Sequence, residues 1–193
     1  MSEGTVHRPF AHDSAVGHVT GDALYIDDLP PVPGLLHLAF GLSEQAHARI
    51  AGMDLDAVRA APGVVAVLTA ADIPGENNIA PVLHDDPLLA DGEVLYHGQP
   101  LFLVAADTRE AARRAARLGR IDYEPLPALL TIAEARAAAS VIEPAQMMRR
   151  GDAPAAIAAA PHRVTGAMTL GGQEHFYLES QAELEDRLEG IPA

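Results

Sequence analysis

The chain has 193 residues, 49% of them apolar and 4% aromatic, which is enough for one sizeable core built from small side chains. Its net charge is −14, from 27 acidic and 13 basic residues, and this argues against a nucleic-acid partner because phosphate binding needs clustered basic side chains. The absence of cysteine excludes disulfides, thiolate nucleophiles, iron–sulfur ligation and cysteine-based zinc sites within these residues.

The sequence contains no segment typical of membrane insertion or export. No apolar run approaches the roughly 20 residues that a membrane-spanning helix needs, and the N-terminus lacks the apolar stretch of a signal peptide. We therefore expect a cytoplasmic protein without a membrane partner.

The first 34 residues are rich in His, Asp, Gly and Pro and end in a Pro-rich stretch at 27–34. This composition predicts an extended arm over residues 1–34 rather than a helix. Compact structure should begin at Leu35, with a first strand over 35–42. We expect one α/β domain over residues 35–140.

A first strand–helix–strand unit is predicted over residues 47–69. Its opening strand is 47–53, and Asp54 is a suitable N-cap for a short helix that ends at Pro62-Gly63. The β-branched run at 64–69 predicts a strand buried on both faces.

A second unit is predicted over residues 99–124, after a long surface loop at 70–98. The apolar run 99–105 predicts a buried strand. It is followed by a helix that starts near Asp107 with a sequence resembling a capping box, and by a strand at 121–124. Two such units predict an α/β fold of α+β-like type, a mixed sheet with helices packed on it.

Beyond the compact domain, the pattern predicts a helix at 131–139, an irregular stretch at 140–153 and an Ala-rich helix ending at Ala160. The alternation from His162 to Leu170 is typical of a half-buried strand. We interpret residues 153–193 as the start of a second domain.

Three groups of polar residues contain the residue types found in functional sites. For each of them a structural or solvated role is the more common explanation. His12-Asp13-Ser14 contains the residue types of a hydrolase triad, yet sequence neighbours cannot supply triad geometry, and a turn or helix cap is favoured. His84-Asp85-Asp86 could bind a hard cation but is typical of a solvated loop. The arginine stripe of the second helix could grip an acidic partner, although a solvated face is the commoner explanation; it comprises Arg109, Arg113 and Arg117.

The segment from Gly171 to Glu179 has the strongest character of a site. Two glycines, which let a backbone approach a neighbour closely, precede an amide, a carboxylate and an imidazole, at Gln173, Glu174 and His175. This density of polar groups beside two aromatic residues indicates a partly buried polar network. The alternative is a glycine kink followed by a satisfied buried histidine.

That segment closely resembles a signature of the xanthine dehydrogenase and aldehyde oxidase family. Four further stretches agree with the family in order and spacing, namely His12–Asp28, Leu55–Thr69, Tyr96–Pro100 and Tyr123–Pro127. Asp27–Pro30 and His84–Ala90 look more like bacterial xanthine dehydrogenase than aldehyde oxidase. The resemblance spans roughly residues 11–181 and implies an α/β hammerhead domain.

The resemblance also implies a function. Family members of this type hydroxylate purines such as xanthine and hypoxanthine at a molybdenum–pterin centre, with FAD and iron–sulfur clusters passing the electrons to NAD. For this protein, the resemblance implies that the iron–sulfur clusters and FAD lie on a separate partner subunit. Gln173, Glu174 and His175 would form an outer shell that orients groups near the molybdenum.

The family's pterin- and molybdenum-binding segments, and its catalytic base, lie downstream of any stretch present in this sequence. No catalytic residue is therefore assigned here, and the remainder of the molybdenum subunit is an expected partner. The charged residues after Gln181 depart from the family and look like a truncation, a frameshift or a divided subunit. The alternative function is a non-catalytic hammerhead remnant that binds a partner or has no active role. Exposed strand edges would also favour self-association.

Overall fold

The structure is a computed structural model and describes residues 8–172. The chain divides into two compact units, one of residues 32–148 and one of residues 1–31 with 149–193. Among the described residues, no helix is both long enough and apolar enough to cross a membrane.

The unit 32–148 contains six strands and three α-helices. The strands are β1 (His37–Leu42), β2 (Ala48–Asp54), β3 (Val64–Thr69), β4 (Glu93–Val94), β5 (Pro100–Ala106) and β6 (Arg120–Pro125). With α1 (Ala15–Thr20) preceding the unit, its helices are α2 (Asp56–Arg59), α3 (Arg109–Ala116) and α4 (Ile132–Ala137). The predicted mixture of helices and strands, with two strand–helix–strand units, is confirmed.

The strands form two three-stranded antiparallel sheets, in the orders β1-β5-β3 and β4-β2-β6. Each strand–helix–strand unit therefore joins the two sheets, because β2 and β3 belong to different sheets, as do β5 and β6. Among these six strands, those that are consecutive along the chain do not pair with each other.

β5 lies at the centre of its sheet and is the most buried strand, as the apolar run predicts. β3 is different, because it lies at the sheet edge. The prediction that 64–69 is buried on both faces is wrong: Val65 is 58% exposed and Leu68 is 42% exposed. A β-branched run reports strand propensity, whereas the position of a strand within a sheet depends on pairing with distant residues.

α3 packs its alanine face on the sheet of β1 and β5. Ala111, Ala112 and Ala115 are buried, and the small side chains allow close contact between helix and sheet. The N-cap is Thr108, whose Oγ1 accepts a hydrogen bond from the Ala111 N–H at 3.1 Å, so the helix begins one residue later than predicted. Leu118 follows the helix and is 45% exposed.

The loop between β3 and β5 is ordered by side-chain contacts. A 3-10 turn covers Ala70–Asp72, and β4 occupies two residues near its end. Between them, Asn77 makes two hydrogen bonds with the backbone of Leu89: its Nδ2 donates to the carbonyl at 2.7 Å, and its Oδ1 accepts from the N–H at 3.1 Å. This side chain therefore holds together two positions that are twelve residues apart in the sequence. It makes the same pair of backbone hydrogen bonds that a neighbouring strand would make.

The other unit has short helices and no described strand. α1 contradicts an arm that is extended throughout residues 1–34, and a 3-10 turn follows at Ile26–Asp28. α5 (Ala153–Ala159) confirms the Ala-rich helix. The predicted strand His162–Leu170 is not formed in the described chain, where Val164 is 99% exposed and Met168 82% exposed. An alternating pattern stabilises a strand only when a partner covers its apolar side.

Candidate functional site

The three residues predicted to lie near a cofactor, Gln173, Glu174 and His175, lie outside the described residues. The glycines before them are described. Gly171 and Gly172 are exposed, and a β-carbon at either position would meet no atom within 4 Å. The close backbone approach expected of these glycines is therefore not made by any contact in the described part of the chain.

The tripeptide His12-Asp13-Ser14 forms the turn that starts α1. The Ala15 N–H donates to the His12 carbonyl at 2.9 Å, and the Ser14 side chain makes no capping bond. The His12 and His18 rings meet edge to face, at a centroid distance of 5.5 Å and an interplanar angle of 62°. No hydrogen bond among residues 8–172 joins the three side chains, so they do not form a nucleophilic triad.

The His84 group lies on the solvated surface of the long loop. His84 Nδ1 is 3.0 Å from Glu76 Oε1, and both side chains are largely exposed, at 73% and 69%. Within residues 8–172, no three His, Asp or Glu side chains are grouped so as to hold a metal ion. The exposure of both side chains agrees with the solvated-loop interpretation.

His47 forms a junction that the sequence analysis did not identify. Its Nδ1 lies 2.6 Å from the Pro127 carbonyl oxygen and its Nε2 lies 2.8 Å from Glu93 Oε1. Both partners only accept hydrogen bonds, so satisfying them together requires both ring nitrogens to carry protons, as in the imidazolium ion. The bond to the Pro127 carbonyl, followed by the bond to Glu93, raises the pKa of His47 above its usual 6.5.

The junction ties together the edges of the β4-β2-β6 sheet. His47 precedes β2, Glu93 lies in β4, and Pro127 follows β6. The Leu126 N–H also donates to the His47 carbonyl at 2.9 Å. The geometry is that of a structural clasp, because neither ring nitrogen remains available to take a proton from a substrate.

Two carboxylates are stabilised by helix starts rather than by a site. The Thr69 backbone and side-chain hydrogen bonds lower the pKa of Asp72. The Thr131 hydroxyl, together with the N–H groups of Leu130 and Thr131, lowers the pKa of Glu134. Both carboxylates complete capping boxes, and their perturbed pKa values have this structural cause.

A cavity of about 630 Å³ opens in the unit 32–148 between β1, the β4–β5 turn, α3 and the start of β6. Its apolar lining comes mainly from Phe40, Leu42, Phe102, Ala116 and Ile121. Its polar lining consists of Ser43, Glu44, His97, Arg113, Arg117 and Tyr123. It is similar to a small-ligand site in size and in its mixture of apolar and polar groups.

Two members of the predicted arginine stripe belong to this cavity. Arg113 and Arg117 lie one helical turn apart on α3 and at its end, and both line the cavity. No hydrogen bond or ion pair joins either guanidinium to another residue in the range 8–172. Arg114 lies on a different side of α3 and pairs with Glu110 at 3.8 Å.

Sequence reasoning identified the arginines but not the rest of the cavity. Ser43 and Glu44 follow β1, and nothing in their local sequence marks them. His97 lies within Tyr96–Pro100, a stretch that carries the family resemblance, but that stretch does not indicate a cavity. No side chain among residues 8–172 is assigned a contact with a molybdenum–pterin group.

Comparison with known proteins shows the family to which the chain is similar. Residues 20–127 match the family described as "Aldehyde oxidase and xanthine dehydrogenase, a/b hammerhead domain". Xanthine dehydrogenase/oxidase of Gallus gallus is 39% identical over 184 residues, which is 95% of this chain and 14% of the relative. Nicotinate hydroxylase of Emericella nidulans is 40% identical over 188 residues, again 95% of this chain and 14% of the relative.

Solved structures agree with the fold. The aldehyde oxidoreductase of Desulfovibrio desulfuricans superposes with a TM-score of 0.60 at 33% identity, covering 67% of this chain and 16% of that one. The Cu,Mo-CO dehydrogenase superposes with a TM-score of 0.57 at 37% identity, covering 64% of this chain and 16% of that one. The chain thus spans about one seventh of the length of the curated relatives it matches.

Proposed function

Since the chain belongs to the aldehyde oxidase and xanthine dehydrogenase family through its α/β hammerhead domain, we propose that it is the N-terminal part of a molybdenum hydroxylase subunit that oxidises xanthine or hypoxanthine. The observation that carries the proposal is similarity to xanthine dehydrogenase over 95% of the chain. The preference for purines over aldehydes rests on Asp27–Pro30 and His84–Ala90, which resemble bacterial xanthine dehydrogenase.

Because the chain spans about one seventh of its curated relatives, other residues would supply the active site. The remainder of the molybdenum subunit would supply the metal-binding pocket and the catalytic base, and a partner subunit would supply FAD and iron–sulfur clusters. The bound molybdenum–pterin group would supply transfer of water-derived oxygen to the purine. This chain would contribute the hammerhead scaffold, with Gln173, Glu174 and His175 orienting groups that contact the centre.

The test is the molybdenum content per chain of the protein purified from its native host under mild conditions, measured by elemental mass spectrometry. It is paired with xanthine-dependent reduction of NAD by the same preparation. We expect near-stoichiometric metal and xanthine turnover. Metal-free protein without turnover would contradict the proposal and support the alternative, a non-catalytic hammerhead remnant.

A matched pair of variants tests the outer-shell role. Gln173→Ala should lower the turnover rate with xanthine while leaving molybdenum content unchanged, because an orienting residue acts through groups it contacts. Gln146→Ala changes an exposed glutamine and should leave both quantities unchanged. Equal turnover in the two variants would remove Gln173 from the site.

A further inference from the structure

The cavity beside α3 has no role in the function proposed above, and its lining has a chemistry of its own. Its volume of about 630 Å³ lies within the roughly 300–1,000 Å³ typical of small-ligand sites. The lining residues all belong to the unit 32–148, so the cavity is complete within one compact domain.

The cavity offers positive charge that no ion pair with a residue among 8–172 neutralises. Arg113 and Arg117 carry the charge, and neither is paired within residues 8–172, although the chain as a whole has a net charge of −14. In such an acidic chain an arginine has many potential partners, as the Arg114–Glu110 pair illustrates. Guanidinium groups bind planar carboxylates through two parallel hydrogen bonds.

The remaining wall favours a ligand with an apolar body. The lining includes the apolar residues Phe102, Ala116 and Ile121. Covering apolar lining with a ligand is favourable by about 25 cal/mol per Å² of apolar area removed from water. An anion without an apolar part would make no contact of this kind.

The charge of the wall limits the charge of the ligand. Arg113 and Arg117 together with Glu44 give a formal charge of +1. A monoanion balances this charge, whereas a phosphate monoester with nearly two negative charges would be repelled by Glu44. We propose that this cavity binds a carboxylate carried on an apolar or aromatic group.

Such a carboxylate has two sources, a free aromatic acid or an acidic side chain between apolar residues of a polypeptide. The test measures both by NMR titration of the complete chain. One arm uses benzoate with benzamide as the neutral analogue. The other uses acetyl-Phe-Asp-Phe-amide with acetyl-Phe-Asn-Phe-amide as the neutral analogue.

We expect saturable shifts at the backbone amides of the lining residues with at least one acidic probe and not with its neutral analogue. Arg113→Ala and Arg117→Ala should each weaken binding about ten-fold, the order expected for a lost hydrogen bond between charged groups. Arg114→Ala is the matched control, because Arg114 lies on the same helix outside the cavity, and should leave the affinity unchanged.

Binding of benzoate identifies a free acid as the source, and binding of the peptide alone identifies a polypeptide. The proposal is overturned if neither acid shifts the lining residues, or if the neutral analogues bind equally well. It is also overturned if Arg114→Ala weakens binding as much as Arg113→Ala. None of these results depends on molybdenum or on xanthine turnover, so the outcome is separate from that of the proposed function.

Discussion

The ring of Phe102 occupies the space that a β-carbon at Gly41 would need. The two residues face each other across β1 and β5, and Phe102 is 2% exposed within the main core cluster. Gly119 borders the same ring, where an added β-carbon would lie 2.7 Å from Cζ. The largest buried side chain of the domain is thus accommodated by two positions without side chains.

Replacing either glycine should therefore destabilise the domain by overpacking. Gly41→Ala and Gly119→Ala should each lower the free energy of unfolding by about 1–3 kcal/mol, because the ring must leave its rotamer or the strands must move apart. Urea unfolding followed by circular dichroism measures the change. Gly75→Ala is the control, since its β-carbon would meet nothing within 4 Å. An unfolding midpoint of Gly41→Ala equal to that of Gly75→Ala would contradict the packing argument.

The His47 clasp predicts a pH dependence of stability. Its pKa is raised in the folded protein by the Pro127 carbonyl and by Glu93, so the stabilisation is fully present below the ordinary pKa of 6.5. The stabilisation is lost as the pH rises through the raised folded pKa. We expect the free energy of unfolding to fall over that interval in the native sequence and to fall less in His47→Gln.

The pKa itself can be measured by NMR titration of the His47 ring. Glu93→Gln should bring it towards the ordinary value, because the charge-assisted partner is removed. Glu76→Gln, beside the exposed His84, should leave the His47 titration unchanged and serves as the control. A His47 pKa that is insensitive to Glu93→Gln would assign the shift to Pro127 alone.

Tyr123 carries a buried hydroxyl with no hydrogen-bond partner among the described residues. Its removal should not harm the fold, since an unsatisfied buried polar group costs about 1–3 kcal/mol. Tyr123→Phe should keep or raise the free energy of unfolding. Tyr96→Phe, at a position 48% exposed, should change it by less than about 0.5 kcal/mol. A loss of stability in Tyr123→Phe alone would show that the hydroxyl is bonded in solution.

Asn77 should control opening of the long loop. Asn77→Ala removes both bonds to the Leu89 backbone, and their loss should favour opening by about 1–3 kcal/mol. Cleavage by chymotrypsin after Leu83 or Leu88 should then accelerate about ten-fold or more. Asn78→Ala is the matched control, because the Asn78 side chain accepts its hydrogen bond from the nearby Ala80 N–H, two residues away in the same loop. Equal cleavage of both variants would refute a special role for Asn77.

Local features of the fold were predictable because their causes are local. The buried strand at β5, the helix that follows it and the Ala-rich helix ending near Ala160 depend on apolar runs, capping side chains and prolines within a few residues. The two strand–helix–strand units were predicted for the same reason. Their distribution between two sheets was not, since it depends on pairing between distant strands such as β2 and β6.

The site was less predictable than the fold. The arginine stripe carried a visible signal, yet the sequence did not decide between a solvated face and a binding surface. Phe40, Glu44 and His97 meet Arg113 only after β1, α3 and the β4–β5 turn have come together. The His47 clasp was missed because its partners Glu93 and Pro127 lie 46 and 80 positions away.

The alternation of the strands between two sheets has a consequence for how the domain forms. Along the chain, β1, β3 and β5 enter one sheet while β2, β4 and β6 enter the other, so a half-length segment completes neither sheet. Pairing the strands of either sheet closes long loops, and the chain entropy is lost before the new contacts offset it. Topologies of this kind fold slowly and as a whole. We expect a single all-or-none unfolding transition for this domain. Two fragments separated within the long loop should each remain unstructured and recover the native circular dichroism only when mixed.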